Sequence, residues 1–274
     1  MGLFAINEMT TYRWSFEEDV QHYAAAGISG IGVWRQKLAD FGEEKGILLL
    51  QERRLEVSAL LWAGGFTGSD GRSFRESIED AIEAIRLAAD LRAGCLVVYS
   101  GGRGGHTGNH CRRLFKGALT ELLPIASEFR VKLAIEPMHV GCAAEWTFLT
   151  GLDETLGLID EFRTEQLQLV FDSYHIGSDE NVLSRLPELS PRIGLVQLGD
   201  AKRPPQGEQD RCRLGEGTLP LREIVAGLAR AGYAGSYEIE LMGEEIESQD
   251  YVELVRHSKQ VFDCWRQCGA KSSE

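Results

Sequence analysis

Leu167-Gln168-Leu169-Val170-Phe171-Asp172 is a short apolar run that ends on a carboxylate. Runs of the same kind stand on both sides of it: Leu3-Ile6, Gly30-Trp34, Glu56-Trp62, Cys95-Tyr99 and Lys132-Glu136 before, Ile193-Leu198 and Ser236-Leu241 after. Longer segments of helical period separate them, and that alternation is the signature of repeated βα units around a parallel sheet. Eight strands follow from the count.

The helical segments carry their own start signals. Ser15-Phe16-Glu17-Glu18 and Ser73-Phe74-Arg75-Glu76 each place a hydroxyl three residues before a carboxylate, the capping box that satisfies the free N–H groups opening a helix. Ile78, Ile82, Ile85 and Leu91 share one helix face, and 221–228 and 252–265 read as helices as well. Between the sixth and seventh strands, 183–186 offers little more than one turn. A doubly wound open sheet usually opens with a glycine-rich phosphate turn after its first strand, and here Asn7-Glu8-Met9-Thr10 follows instead. With 274 residues, the expected fold is a single-domain (β/α)8 barrel over residues 1–274. Residues 202–213, with Pro204 and Pro205, read as a loop over the site rather than a domain boundary.

Composition narrows the partners. Hydrophobic residues make up 43% and charged residues 26%, ordinary for a globular chain. The net charge of -13, with no basic stripe, excludes a nucleic-acid backbone as the expected partner. No apolar run reaches the roughly 18 residues of a membrane span, and the opening Met1-Gly2-Leu3-Phe4 has neither the pattern of a secretion signal nor, with Ile6, that of a myristoylation signal. The six cysteines are scattered and read as reduced thiols of a cytoplasmic protein; Cys264 and Cys268, one helical turn apart, have no nearby pair with which to make a zinc site. The sequence leaves a homo-oligomer open.

Barrel enzymes carry their reactive groups at the carboxyl ends of the strands, and here those ends are acidic. Strand five ends on Glu136, strand six on Asp172, and strand eight carries Glu238 and Glu240; strand seven carries Gln197 and is followed by Asp200. Carboxylates converging at the mouth repel one another unless a cation lies among them. Glu136, Asp172, Gln197 and Glu240 form an all-oxygen donor set suited to manganese or magnesium, with cobalt also compatible, whereas zinc favours more nitrogen or sulfur. Glu238 and Glu240 point the same way along their strand, so alternation does not choose between them; Glu240 is nearer the carboxyl end and is taken as the ligand, with Glu238 its rival. Taken singly, each of these carboxylates also fits a helix cap or a loop salt bridge. His175, three residues after Asp172, fits either loop packing or proton transfer beside the metal, and His139, just past Glu136, is similar. Trp34 and Trp62 follow strands two and three and suit either core packing or stacking on a sugar face. Gly101-Gly102-Arg103-Gly104-Gly105 lacks the ending of a phosphate-binding loop and reads as a plain loop.

Ala134-Ile135-Glu136-Pro137-Met138-His139, Phe171-Asp172-Ser173-Tyr174-His175, Val196-Gln197-Leu198-Gly199-Asp200-Ala201, Leu214-Gly215-Glu216-Gly217-Thr218-Leu219-Pro220 and Glu238-Ile239-Glu240-Leu241, in that order, resemble the xylose isomerase-like barrel superfamily and its sugar phosphate isomerase/epimerase branch. The opening Gly30-Ile31-Gly32-Val33-Trp34-Arg35 is similar too, so the resemblance spans essentially the whole chain. It implies one divalent ion, a sugar or keto-polyol substrate, and two glutamates, Glu136 and Glu240, acting as ligands and as acid and base on opposite faces of a metal-stabilised enediolate. Asp172 is then a pure ligand, and Arg211, within Asp210-Arg211-Cys212-Arg213, touches substrate. Gln197 departs from the pattern, since many epimerases have His there. Gln at this position is similar to dehydratases acting on 3-dehydroshikimate, in which His175 or His139 moves the proton.

The leading expectation is therefore a metal-dependent sugar isomerase or epimerase. A dehydratase of the 3-dehydroshikimate or inosose type is the alternative, and a non-catalytic carbohydrate-binding subunit on the same fold is a third. Apurinic-site endonucleases share the fold but need a histidine-rich trinuclear zinc site, which six histidines in an acidic chain do not supply.

Overall fold

The structure, a computed structural model, describes residues 2–271 of the 274, with side chains described through residue 267; the side chain of Cys268 lies outside the described residues. Eight strands, β1 (Phe4–Asn7), β2 (Gly30–Trp34), β3 (Glu56–Gly64), β4 (Leu96–Tyr99), β5 (Leu133–Ile135), β6 (Leu167–Asp172), β7 (Ile193–Leu198) and β8 (Ser236–Ile239), form one closed barrel. Every neighbouring pair is parallel, and Phe4 opposite Tyr237 and Ile6 opposite Ile239 close the ring between β1 and β8. The expected eight-fold barrel is the observed architecture.

Strand alternation explains how the barrel is filled. Ala59, Leu61, Cys95, Val97, Ala134, Val170 and Leu195 form an apolar cluster of their own inside the ring. The opposite row, with Ile31, Leu60, Val98, Leu133, Leu169 and Val196, packs against the outer helices in the main core. Because side chains repeat every second residue, the row that fills the barrel with Ala134, Val170 and Leu195 continues upward as Glu136, Asp172 and Gln197.

Both capping boxes are present. Ser15 accepts from the Glu18 N–H while Glu18 accepts from the Ser15 N–H, opening α1 (Phe16–Ala25); Ser73 and Glu76 do the same for the helix Phe74–Asp90. Each such cap is worth about 1 kcal/mol. The helix α2 (Arg35–Phe41) follows β2 directly, and the helices Leu221–Arg230 and Tyr251–Lys271 lie where expected.

Several boundaries differ from the sequence reading: β3 runs on to Gly64, β5 stops at Ile135 and β8 at Ile239, and three further differences bear on the site. The segment after β6 is longer than one turn: Ser173–Ile176 is a short helix opened by Asp172, and Val182–Leu189 runs for two turns because Val182, Leu186 and Leu189 bury one stripe. β1 is shifted by one residue, so Asn7 rather than Ile6 ends it. Residues 202–213 are not wholly irregular, since Asp200–Ala201 and Arg211–Cys212 pair as a small antiparallel ribbon at the carboxyl end of the barrel. No helix among the described residues is long and apolar enough to cross a membrane, and Cys95, Cys111, Cys142, Cys212 and Cys264 are free thiols.

Candidate active site

Two tiers of polar side chains close the carboxyl end of the barrel. The deeper tier centres on Glu238. Strand register sets Asp172, Gln197 and Glu238 side by side on β6, β7 and β8, and the Glu238 carboxylate accepts from Asn7 Nδ2 (2.7 Å), from Gln197 Nε2 (3.3 Å) and from the Ser58 hydroxyl. Burial pushes its pKa up to about 7, against the pull of those three donors. β2 makes room with Gly32, where a Cβ would come 2.4 Å from Glu238 Oε2.

The upper tier holds Glu136, Asp172, His175, Glu208, Arg211 and Glu240. Asp172 Oδ1 accepts from the Tyr174 N–H (2.7 Å), which caps the short helix and fixes the carboxylate. Arg211 is only 2% exposed. Its Nη1 donates to Asp172 Oδ2 (2.9 Å) and to the Glu240 carbonyl (3.1 Å), and its Nη2 donates to Glu208 Oε2 (3.0 Å) and lies 3.4 Å from Glu240 Oε2. The guanidinium rests 4.3 Å from the centre of the Tyr174 ring, whose hydroxyl in turn donates to the Gly207 carbonyl and ties down the 202–213 loop. Burial alone would lower the Arg211 pKa, but Asp172, Glu240 and Glu208 outweigh it and raise it.

His175 sits beneath three carboxylates. Its Nδ1 accepts from the His139 N–H (3.3 Å), so the neutral ring carries its proton on Nε2. That Nε2 lies 3.5 Å from Glu136 Oε1, 3.5 Å from Glu208 Oε1 and 3.7 Å from Asp172 Oδ2. Burial lowers the ring's pKa. Burial likewise raises Glu136 well above the ordinary carboxylate range, reinforced by Asp172, Glu240 and Glu208. Glu240 is raised too, first by burial and against the attraction of Arg211.

These contacts sort the residues read from the sequence. Glu136, Asp172 and His175 offer donor atoms within 4.8 Å of one another. Glu240 turns its carboxylate toward Asn7 Nδ2 (3.1 Å) and Arg211, so the cation between Asp172 and Glu240 is the Arg211 guanidinium. Glu136 Oε1, Gln197 Oε1, Glu208 Oε1 and His175 Nε2 are buried without a hydrogen-bond partner among the described residues. Orphaned oxygens of this kind suit an oxygen-coordinated divalent ion, so the donor chemistry fits a metal. Trp34, Trp62, Glu136, Arg211 and Glu240 border one cavity of about 570 Å3 above the tiers. His139 does not: its Nδ1 accepts from the Gly141 N–H (3.1 Å) within its own loop, and only its backbone reaches the site. Asp200 belongs to the scaffold, accepting from the N–H groups of Ala201, Gly215 and Gly217. Arg103 of the glycine-rich loop folds onto the His106 carbonyl.

Sequence reasoning missed Asn7, Ser58 and Glu208. Asn7 carries the signal used for the other strands, a polar residue at a strand's carboxyl end, hidden by the one-residue shift of β1. Glu208 stands three residues before Arg211 and has no such signal.

Known proteins are similar to this chain in sequence and in fold. A model of the xylose isomerase-like TIM barrel family matches residues 20–261. L-ribulose-5-phosphate 3-epimerase UlaE of Escherichia coli O1:K1 is 27% identical over 184 residues, covering 66% of this chain and 61% of that protein; the chain thus matches about three-fifths of the length of these curated relatives. Among solved structures, protein SMc04130 from Sinorhizobium meliloti 1021 is 25% identical with a TM-score of 0.86 over 97% of this chain and 98% of that one. The IOLI protein, whose crystal structure holds a zinc atom, is 19% identical with a TM-score of 0.83 over 96% and 97%, a likeness of fold. With the closed parallel barrel and the match over 20–261, the chain belongs to the xylose isomerase-like TIM barrel family.

Proposed function

We propose that this chain is a divalent-metal-dependent isomerase or epimerase of a sugar or related hydroxy-carbonyl compound. The observation that carries this reading is the pair Glu136 and Glu240, two buried carboxyls on the border of one cavity. Such groups serve as general base and acid. The sugar 3-epimerase named among the curated relatives supports the same chemistry.

Glu136, Asp172, Gln197 and Glu240 would hold the ion, with His175 beside it. Their oxygens favour manganese or magnesium and accommodate cobalt; the zinc atom of the IOLI protein supports a divalent ion in this fold. When bound, the ion supplies positive charge against the anionic substrate oxygen. Glu136 takes the proton from the carbon beside the carbonyl, and Glu240 returns one to the opposite face. His175, whose Nε2 lies 3.5 Å from Glu136 Oε1, places an imidazole beside that carboxylate. Arg211 contacts a substrate oxygen from the cavity wall.

Gln197, standing where many epimerases have His, is the feature that supports a dehydratase instead. One experiment separates the readings: incubation of metal-loaded protein with ketoses and with 3-dehydroshikimate in deuterated water, followed by mass spectrometry and NMR. Conversion without loss of water, with deuterium taken up beside the carbonyl, is expected, and Glu136→Gln or Glu240→Gln reduces it by at least about 100-fold while the thermal midpoint stays close to native. Loss of water with a new conjugated absorbance would replace the isomerase by a lyase. A metal-free protein whose sugar binding survives Glu136→Ala would leave only a binding subunit.

A further inference from the structure

The cavity above the polar tiers is divided by chemistry. Glu136, Glu208 and Glu240 make its acidic side, from the ends of β5 and β8 and the 202–213 loop. The other side is aromatic. Tyr12 follows β1, Trp34 ends β2, Trp62 lies in β3, Tyr99 ends β4 and Trp146 stands in the loop after β5. Tyr12 and Trp34 stack with ring centres 5.8 Å apart, Trp62 and Trp146 lie 5.8 Å apart, and Tyr99 and Trp146 meet edge to face at 5.7 Å. Trp146 remains 36% exposed and Tyr12 50%, so both rings offer uncovered faces. Flat apolar surfaces of this kind match the C–H face of a sugar ring, while its hydroxyls address the acidic side.

The cations decide the charge of the occupant. Among the described residues Arg211 is the one Lys or Arg lining the cavity, and it is committed to Asp172, Glu208 and Glu240. The two arginines behind the aromatic side are paired as well: Arg35 with Asp80, and Arg72 with Asp70 and Asp80. Glu145, exposed on the wall beside Trp146, adds another negative charge. A phosphate dianion entering this cavity meets Glu136, Glu145, Glu208 and Glu240 against Arg211 as the lining cation, and the carboxylates of Glu136, Asp172 and Glu240 outnumber the charges of a divalent ion held among them, an arrangement that disfavours it.

Resting on the isomerase reading above, we propose that the substrate is an uncharged keto-sugar without a phosphate ester, seated with its C–H face on the Trp34, Trp62 and Trp146 wall. Isothermal titration of the manganese-loaded full chain with D-fructose, D-xylulose and D-ribulose, each against its terminal phosphate ester, tests this. At least one free ketose is expected to bind about tenfold or more tighter than its ester. Trp146→Ala weakens that ketose about fivefold while Trp146→Phe retains most of the affinity. Tighter binding of the esters, binding of none of the free ketoses, or a Trp146→Ala protein that binds as the native one does would overturn the proposal. Solvent-deuterium exchange on the same samples keeps the two ideas apart: a free ketose that binds tightly without exchanging a proton sinks the isomerase and leaves the substrate class standing, whereas exchange that prefers the ester sinks the substrate class alone.

Discussion

A methyl group at Gly32 would lie 2.4 Å from Glu238 Oε2 and 2.5 Å from its carboxyl carbon. Glu238 has nowhere to retreat, because Ser58, Asn7 and Gln197 all hold it. Gly32→Ala is therefore expected to cost about 1–3 kcal/mol of stability, read as a thermal midpoint several degrees below native; an unchanged midpoint would mean that Glu238 moves aside freely. The same residue shows what the sequence could and could not reveal. Alternation along a strand identifies which residues face inward, so Glu136, Asp172, Gln197, Glu238 and Glu240 were legible as a group facing the barrel mouth. It does not reveal which carboxylate is already satisfied. Glu238 collects three donors from β1, β3 and β7, and two of them, Asn7 and Ser58, come from strands far away in sequence. Glu208 and Trp146 lie in loops, where no period marks a residue as inward.

At the scale of elements, one buried lysine links three segments at the start of the chain. Lys37 on α2 donates to Asp19 on α1 at 2.6 Å and to the Glu8 and Thr11 carbonyls after β1. Burial raises the Asp19 pKa from 3.8 to about 6, with Lys37 opposing, and Glu8 is raised for the same reason. A carboxyl whose folded pKa exceeds its unfolded one contributes stability that is full below the unfolded value, near 3.8 for Asp19, and is lost as pH climbs through about 6. Removing Lys37 takes away the attraction that offsets this loss. Lys37→Met should thus destabilise more at pH 8, by about 3–5 kcal/mol, than at pH 5, where the carboxyls take up protons. Thermal unfolding at both pH values checks this, and an equal loss at both would contradict it. Element identity was largely readable, because capping boxes and apolar stripes are local. Boundaries were not: β1 slid by one residue, and 182–189 outgrew one turn because its last buried residue, Leu189, lies beyond the segment read as helical.

For the whole molecule, the closed ring is what turns scattered strand ends into a site. Asp172, Gln197 and Glu238 become neighbours only because β6, β7 and β8 pair in register, and Asn7 reaches Glu238 and Glu240 only because β1 closes against β8. Arg211, like Glu208 and Trp146, is not dictated by strand order; it is delivered from the ribbon beyond β7 to lie between Asp172 and Glu240. The central claim is that the barrel mouth is built for a divalent ion. Anomalous diffraction from crystals grown with manganese tests it most directly. The account predicts a single strong peak bonded to oxygens of Glu136, Asp172, Gln197 and Glu240, with the Arg211 guanidinium moved from between Asp172 and Glu240. No peak in the barrel mouth, with Arg211 still bridging those carboxylates, or a peak held instead by Cys142, His175 and Glu208, would contradict it.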